Sequence, residues 1–324
     1  MANKNEYSQS NLQKIKGYIS NNKNEKKTLI SKIEKESKII ECPRDAMQGI
    51  KTFIPTQKKA DYINSLLKIG FDTIDFGSFV SPKAIPQLKD TPQVIRKLDM
   101  SNTNTKLLAI VGNVRGANDA VKFDEISYLG FPFSVSETFL KRNLNSNINK
   151  SLKTITELLE ICDKNKKELV IYVSMAFDNP YGDEWNVDIV AEYIEKLNNI
   201  GVKIIPLSDT IGKSNMKSIT TLFSTLIPAF PDIEFGFHLH TSIIHWYRKV
   251  NAAYKNGCRR FDTVINGLGG CPMAEEGQLV GNLKTSNLLE YLETIGVDTK
   301  IDEEAFIKVF MKALKTFPAA KLTS

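Results

Sequence analysis

Short apolar runs alternate with longer segments of helical periodicity from Ser37 onward, and this alternation is the strongest constraint on the fold. Runs of this length, bounded by turn residues, are typical of buried strands. Eight are present, at 38–41, 73–75, 106–111, 125–129, 169–175, 203–207, 234–238 and 261–264. Such alternation favours a parallel sheet with crossover helices, either open and doubly wound or closed into a barrel. Eight units favour a closed (β/α)8 barrel, that is, a TIM barrel of the α/β class.

The segments between these runs have the apolar spacing of amphipathic helices. They are 56–69, 92–98, 116–123, 148–165, 187–200, 216–228, 245–256 and 286–295. Three of them stop at a glycine where a helix C-cap is expected, namely Gly70, Gly201 and Gly257. A further periodic stretch at 303–314 predicts an extra C-terminal helix.

Charge and periodicity divide the chain into three parts. Residues 1–36 hold eight Lys and four Glu, so this basic N-terminal extension carries +4 of the formal net charge of +6. Its sparse apolar residues fit short surface helices and a disordered tail equally well. We assign residues 37–297 to a (β/α)8 catalytic barrel and residues 298–324 to a C-terminal helical extension.

Composition excludes several classes of function. With 42% hydrophobic and 25% charged residues, the 324-residue chain matches a globular protein with a sizeable core. Beyond the extension there is no basic stripe, so we expect no nucleic-acid binding. The sequence contains no apolar run of about 18 residues, so we expect no membrane span. The four cysteines lack C-x-x-C spacing, and we expect a cytoplasmic protein with reduced thiols.

A barrel of this kind builds its active site at the carboxyl ends of the strands. His238 and His240 end the seventh predicted strand, where alternate residues point the same way and two imidazoles can face one ion. Two structural histidines are the alternative. Asp45 after the first strand and Asn282 after the last are candidate oxygen ligands. This mixed nitrogen and oxygen set suits Mg2+ or Mn2+, with Zn2+ as a further candidate.

Two more residues at the predicted mouth can take part in chemistry. Arg44 precedes Asp45, and on an extended strand end their side chains would point in opposite directions, one to the substrate and one to the metal. An ion pair that ties the loop is the alternative for Arg44. Cys271 lies in the glycine-rich loop 267–272, where an exposed thiol can exchange protons. A buried structural cysteine is the commoner role.

Five segments, in this order, resemble the 3-hydroxy-3-methylglutaryl-CoA lyases. They are 40–48 (IECPRDAMQ), 75–83 (DFGSFVSPK), 208–212 (SDTIG), 238–240 (HLH) and 267–272 (GLGGCP). The resemblance runs from about residue 38 to about residue 297. The family belongs to a superfamily of metal-dependent lyases and condensing enzymes. The resemblance implies an acyl-CoA substrate that is cleaved to acetyl-CoA and acetoacetate, as in leucine degradation or ketone-body metabolism.

The matching positions imply individual roles. The implied metal ligands are Asp45, His238, His240 and Asn282. Arg44 matches the arginine that stabilises the enolate oxygen of the departing acetyl-CoA. Cys271 matches the loop thiol that handles a proton at the carbanion. Asp75 stands where many members have glutamate, and Asp209 matches a further acidic active-site position.

Several alternatives stay open. Thr241 follows the H-x-H pair where many members have aspartate, and Pro206 stands where a small polar residue is common. The base that removes the hydroxyl proton of the substrate is either Asp45 or His238. A condensing enzyme that joins acetyl-CoA to a 2-oxo acid is a second hypothesis, and a non-catalytic ligand-binding barrel is a third. The sequence leaves a homodimer open.

Overall fold

The computed structural model describes residues 36–270 and 280–317. Within these residues, eight parallel strands close into one barrel in chain order. The strands are β1 (Lys38–Glu41), β2 (Thr73–Ser78), β3 (Lys106–Ile110), β4 (Ile126–Ser134), β5 (Glu168–Ser174), β6 (Ile204–Asp209), β7 (Glu234–Leu239) and β8 (Arg260–Thr263). The parallel pairing of β1 with β8 closes the cylinder. The predicted (β/α)8 barrel is confirmed.

One or two helices follow each strand and cover the outside of the barrel. They are α1 (Pro43–Gln48), α2 (Thr56–Leu66), a 3-10 turn (Pro86–Leu88), α3 (Thr91–Ile95), α4 (Val114–Ala120), α5 (Glu137–Leu144), α6 (Ile148–Lys164), α7 (Val187–Asn199), α8 (Met216–Ala229), α9 (Trp246–Lys255), α10 (Thr285–Thr294) and α11 (Glu303–Thr316). The last is the predicted extra helix. It packs against α2, where Phe317 meets Tyr62 edge to face at 5.1 Å between ring centroids.

Two short helices were not predicted from the sequence. The α1 helix has Pro43 in its first turn, a position for which the fixed φ of proline is suited. The predicted extended conformation at Arg44 and Asp45 is therefore wrong, since both lie in the first turn of a helix. Ser136 caps the α5 helix, because its hydroxyl accepts a hydrogen bond from the Phe139 amide at 3.1 Å.

Two strands extend at least three residues beyond their predicted ends. Strand β2 continues past Asp75 to Ser78, with a register shift between Asp75 and Gly77. Strand β4 continues to Ser134 through Pro132, although proline normally argues against a central strand. Beyond Gly130, β4 pairs in register with β5 alone, because β3 has already ended. The missing N–H of Pro132 therefore removes no bond to β3.

The terminal segments are only partly described. The predicted basic extension, residues 1–36, lies outside the described residues except for Glu36, which pairs with Lys300 at 2.6 Å. The two conformations that the sequence allows for this extension, short surface helices or a disordered tail, stay predictions. Across residues 36–270 and 280–317, no helix has both the length and the apolar character needed to cross a bilayer.

The interior of the barrel is filled by side chains from its own strands. They form a cluster separate from the core that packs strands against helices, and consist of Leu108, Ile110, Tyr128, Val170, Tyr172 and Ile204. At the amino-terminal end, Glu234 pairs with Lys38 at 2.5 Å and with Arg260 at 2.9 Å. Close packing of this kind makes the barrel a solid scaffold rather than a pore. Functional groups therefore gather at the opposite, carboxyl-terminal mouth.

Glu41 joins β1 to the chain that follows β8. Its fully buried carboxyl group accepts hydrogen bonds from the Ile265 amide at 2.9 Å and the Thr285 hydroxyl at 2.7 Å. Burial raises the pKa of Glu41 to about 8, although these hydrogen bonds act in the opposite direction. The group is therefore mostly protonated at neutral pH in the folded chain, and ionised after unfolding.

We predict that Glu41→Gln makes stability less dependent on pH. A carboxyl group whose pKa rises from 4.5 to about 8 on folding binds protons more tightly in the folded state. The free energy of unfolding therefore falls as pH rises between these values, by at most about 1.4 kcal/mol per pH unit. Glutamine cannot ionise and escapes this loss. Urea denaturation of both proteins from about pH 5 to about pH 9 measures it, and a pH-independent difference between them would contradict the prediction.

Candidate active site

His238 and His240 lie at the carboxyl-terminal end of β7 with their rings facing each other. His238 is the fifth residue of the strand, and His240 follows its last residue. Both are buried, with 8% and 3% of their surface exposed. The two Nε2 atoms are 3.2 Å apart. The strand thus presents two imidazole nitrogens to the same point.

The other ring nitrogen of each histidine has a partner on a neighbouring element. Nδ1 of His238 is 2.9 Å from Oδ2 of Asp262, and Nδ1 of His240 is 3.0 Å from the carbonyl oxygen of Thr210. A carbonyl oxygen only accepts, so Nδ1 of His240 carries the hydrogen and Nε2 keeps its lone pair. A carboxylate favours the same tautomer in His238. Both Nε2 atoms are therefore available as ligands.

The charges around the two rings differ. Burial, together with nearby His238, lowers the pKa of His240 to about 4, so its imidazole is neutral at neutral pH. Burial also lowers the pKa of His238, but the hydrogen bond and negative charge of Asp262 outweigh it, and the net pKa is raised. Positive charge is therefore favoured on the His238 ring and disfavoured on the His240 ring. A proton or a bound cation can supply it.

Asp45 completes a set of three donors. One of its carboxylate oxygens lies within 4.8 Å of ring nitrogens of both His238 and His240. Burial raises the pKa of Asp45, but the charges of Arg44 and the two histidines outweigh it and hold the pKa below its ordinary range. Two imidazole nitrogens and an ionised carboxylate around one point suit a divalent cation. The residues present therefore fit a metal site.

Asn282 lies against this cluster through its nitrogen. Its Nδ2 donates to Oδ2 of Asp45 and, at 2.9 Å, to the carbonyl oxygen of Leu268. The backbone of Asn282 forms an isolated bridge with His240, which fixes its distance from β7. Ligation of a cation would require the amide oxygen to face Asp45 and the histidines instead. The predicted role of Asn282 as a metal ligand stays a prediction.

Arg44 bridges two carboxylates at the rim of the cluster. Its Nε and Nη2 donate to Oδ2 of Asp75 at 3.0 and 2.5 Å, and its Nη1 donates to Oδ1 of Asp45 at 3.0 Å. The prediction that Arg44 and Asp45 point in opposite directions is therefore wrong, because helix α1 places them on neighbouring faces. Burial raises the pKa of Asp75 to about 6 against the effect of Arg44, so this carboxylate is still ionised at neutral pH.

Asp209 lies outside the donor cluster, where it binds residues of its own loop and of α9. Oδ2 of Asp209 accepts hydrogen bonds from Lys249 Nζ at 2.9 Å and from the Ser214 hydroxyl at 2.5 Å. These bonds hold the loop after β6, and Thr210 in that loop carries the carbonyl that binds His240. Cys271 lies outside the described residues. Catalytic roles for Asp209 and Cys271 stay predictions.

Sequence reasoning missed Asp262 and the Thr210 carbonyl. Asp262 is the third residue of β8 and is 2% exposed, with its side chain directed to His238. An acidic residue inside a short, otherwise buried strand was a signal that could have identified it. A backbone carbonyl such as that of Thr210 leaves no trace in the sequence.

Gly269 allows the loop after β8 to lie directly on the donor cluster. An added Cβ would be 2.6 Å from Nδ2 of Asn282 and 2.9 Å from Oδ2 of Asp45, and the residue has φ of +98°. We predict that Gly269→Ala displaces one of these side chains and weakens Mn2+ binding by roughly tenfold or more. Isothermal titration of the full chain with Mn2+ measures this affinity.

Gly182→Ala is the matched control. Gly182 also has a left-handed φ, +75°, but an added Cβ would meet no heavy atom within 4 Å. The Gly182→Ala variant therefore has the strain of an alanine at a left-handed φ, but its new methyl group collides with no other atom. Equal Mn2+ affinity in the two variants would show that close approach of Gly269 to Asp45 and Asn282 does not matter for the site.

Comparison with known proteins identifies the family of the chain. The model of the HMGL-like family matches residues 38–311. The hydroxymethylglutaryl-CoA lyase of Bacillus subtilis (strain 168) is 30% identical over 265 residues, which cover 82% of this chain and 87% of the relative. The hydroxymethylglutaryl-CoA lyase of Pseudomonas mevalonii is 30% identical over 267 residues, with 82% and 87% covered.

Solved structures of lyases have the same architecture. The HMG-CoA lyase from Acinetobacter baumannii, in complex with coenzyme A and 3-methylmalate, has a TM-score of 0.79 and 31% identity, covering 87% of this chain and 91% of that one. The Bacillus subtilis HMG-CoA lyase has a TM-score of 0.81 and 29% identity, covering 87% and 94%. The fold and the family match agree, and the chain belongs to the HMGL-like family of enzymes.

Proposed function

We propose that the protein is a metal-dependent carbon–carbon lyase that cleaves 3-hydroxy-3-methylglutaryl-CoA, or a close 3-hydroxyacyl-CoA, to acetyl-CoA and acetoacetate. The observation that carries the proposal is the convergence of Asp45, His238 and His240 on one point, with the Arg44 guanidinium bonded to Asp45. The relatives named as lyases support this reaction class. The coenzyme A in the related Acinetobacter baumannii structure supports an acyl-CoA substrate.

The proposed metal ligands are Asp45, His238 and His240, with Asn282 as the candidate for a fourth position. When bound, Mg2+ or Mn2+, or alternatively Zn2+, would lower the pKa of the tertiary hydroxyl of the substrate and orient it. Asp262 and the Thr210 carbonyl hold the two imidazoles in place for this task, at 2.9 and 3.0 Å. Either Asp45 or His238 is the proposed base that removes the hydroxyl proton.

Arg44 is proposed to stabilise the enolate that forms when the carbon–carbon bond breaks. The two bonds to Asp75 and those from Nη1 to Asp45 and Gln48 fix the plane of the guanidinium. Among the described residues these contacts use four of its five N–H groups, and leave one on Nη2 for the substrate. A donor fixed before the reaction stabilises developing negative charge without the cost of reorganisation.

We propose that a residue in the loop after β8 carries out the last proton transfer of the reaction. Gly269 and Gly270 have φ of +98° and +127°, conformations that favour glycine, and lead directly to Cys271. We propose that the Cys271 thiol returns a proton to the enolate carbon of acetyl-CoA. Asp209 is proposed to act indirectly, because its bonds to Lys249 and Ser214 hold the loop whose carbonyl binds His240.

We predict that Arg44→Met lowers kcat for acetoacetate release by about two to three orders of magnitude, since it removes a preorganised charge at the enolate oxygen. KM should change much less. Arg44→Lys is the matched control, because it retains a positive charge without the planar fork and should keep part of the activity. A coupled assay for acetoacetate with and without a chelator measures all three proteins.

Two results would contradict the proposal. One is wild-type activity in Arg44→Met, and the other is activity that survives removal of divalent cations. A separate assay with acetyl-CoA and a set of 2-oxo acids distinguishes the condensing hypothesis, because condensation releases free coenzyme A and forms no acetoacetate. Binding of a divalent cation without either reaction would favour the non-catalytic barrel.

A further inference from the structure

A second group of metal-binding side chains lies next to the first. Cys42, His238 and Asp262 each place one donor atom within 4.8 Å of the others, and all three residues are buried. A tetrahedral ion with bonds of about 2.0 to 2.3 Å needs donors roughly 3.5 Å apart. The three donor atoms therefore lie near the spacing that such a site needs. The thiol distinguishes this group from the Asp45 cluster.

The backbone holds Cys42 at this position. Its amide donates to the Thr263 carbonyl at 2.8 Å, which ties the residue after β1 to the end of β8 beside Asp262. The thiol has one weak contact among the described residues, to the Ile40 carbonyl at 3.7 Å. Its position is therefore fixed by the barrel closure, while its sulfur is not committed to a strong hydrogen bond.

Two buried polar atoms, both on residues that contact His238, have no hydrogen-bond partner among the described residues. They are Oδ1 of Asp262 and the hydroxyl oxygen of Tyr172. Asp262 is 2% exposed, and the ring of Tyr172 packs edge to face on His238 at 5.7 Å. Buried polar groups are nearly always satisfied. An orphaned carboxylate oxygen next to a thiol and an imidazole indicates a site for a cation.

We propose that Cys42, His238 and Asp262 form a position for a thiophilic divalent ion such as Zn2+, Co2+ or Cd2+. Sulfur ligands select such ions over Mg2+ and Mn2+, which prefer oxygen. On binding, the sulfur–metal bond forms and the thiol proton passes to solvent. This position differs from the Asp45 cluster, whose donors are nitrogen and oxygen only.

The two positions share His238 and therefore exclude each other. A neutral imidazole has one nitrogen with a free lone pair, so His238 serves a single ion at a time. A thiophilic ion bound at Cys42 would withdraw His238 from the Asp45 cluster. The inference rests on the geometry of these side chains and does not depend on the proposed lyase reaction.

Titration of the full-length, metal-free chain with Co2+ tests the proposal. Thiolate bound to Co2+ gives a charge-transfer band in the near ultraviolet, which oxygen and nitrogen ligands do not. We expect this band in the wild-type protein and its loss in Cys42→Ala. The Cd2+ affinity of Cys42→Ala should fall by roughly tenfold or more, while its Mn2+ affinity should stay unchanged because the Asp45 cluster is intact.

Other cysteine variants serve as controls. Cys258→Ala removes a different buried thiol, one bonded to the Arg260 carbonyl, and should keep the band. Cys271→Ala should keep it as well. Cys42→Ser is the alternative if the alanine variant does not fold, because it retains a similar shape without a thiolate. Persistence of the band in the Cys42 variants, its loss in Cys271→Ala, or its absence from the wild-type protein would overturn the proposal.

Discussion

Two hydrogen bonds at the Nδ1 atoms of His238 and His240 determine the chemistry at the barrel mouth. Asp262 from β8 provides one at 2.9 Å, and the Thr210 carbonyl after β6 provides the other at 3.0 Å. Because both Nδ1 atoms are occupied, the lone pairs of both rings converge from Nε2 on one point, which Asp45 also approaches. Strands β6, β7 and β8 must therefore stay in register for the site to exist, so the closed barrel is a requirement of the site.

The buried carboxylates at the barrel mouth are balanced by positively charged or proton-donating side chains around the two histidines. Three buried carboxylates lie close together here, those of Asp45, Asp75 and Asp262. Arg44 contacts two of them, and His238 contacts the third. Buried charges are stable when paired, and a divalent cation between the histidines would add positive charge where it is needed. The neutral thiol of Cys42 beside Asp262 is the donor that gives a softer ion an alternative position.

Much of the fold was predictable because eight apolar runs alternate with helical segments, and a local period of this kind survives in the sequence. The short helices α1 and α5 were not predicted because six and eight residues are too few for helical periodicity to stand out. Their beginnings are marked only by Pro43 in α1 and by the Ser136 cap in α5. The H-x-H pair was visible, since residues two apart share a face of a strand. Asp262 and the Thr210 carbonyl could not be identified from the sequence. Their hydrogen bonds to the histidines join segments that are distant in sequence.

A crystal structure of the full chain grown with Mn2+, with data collected at the manganese absorption edge, tests whether His238, His240 and Asp45 hold one cation. We expect an anomalous peak about 2.0 to 2.3 Å from Nε2 of His238, Nε2 of His240 and a carboxylate oxygen of Asp45. Both Nδ1 hydrogen bonds should be retained in that structure. No peak at this point in a crystal that holds Mn2+, or a peak bound by other residues while the two rings keep their contact, would contradict this expectation.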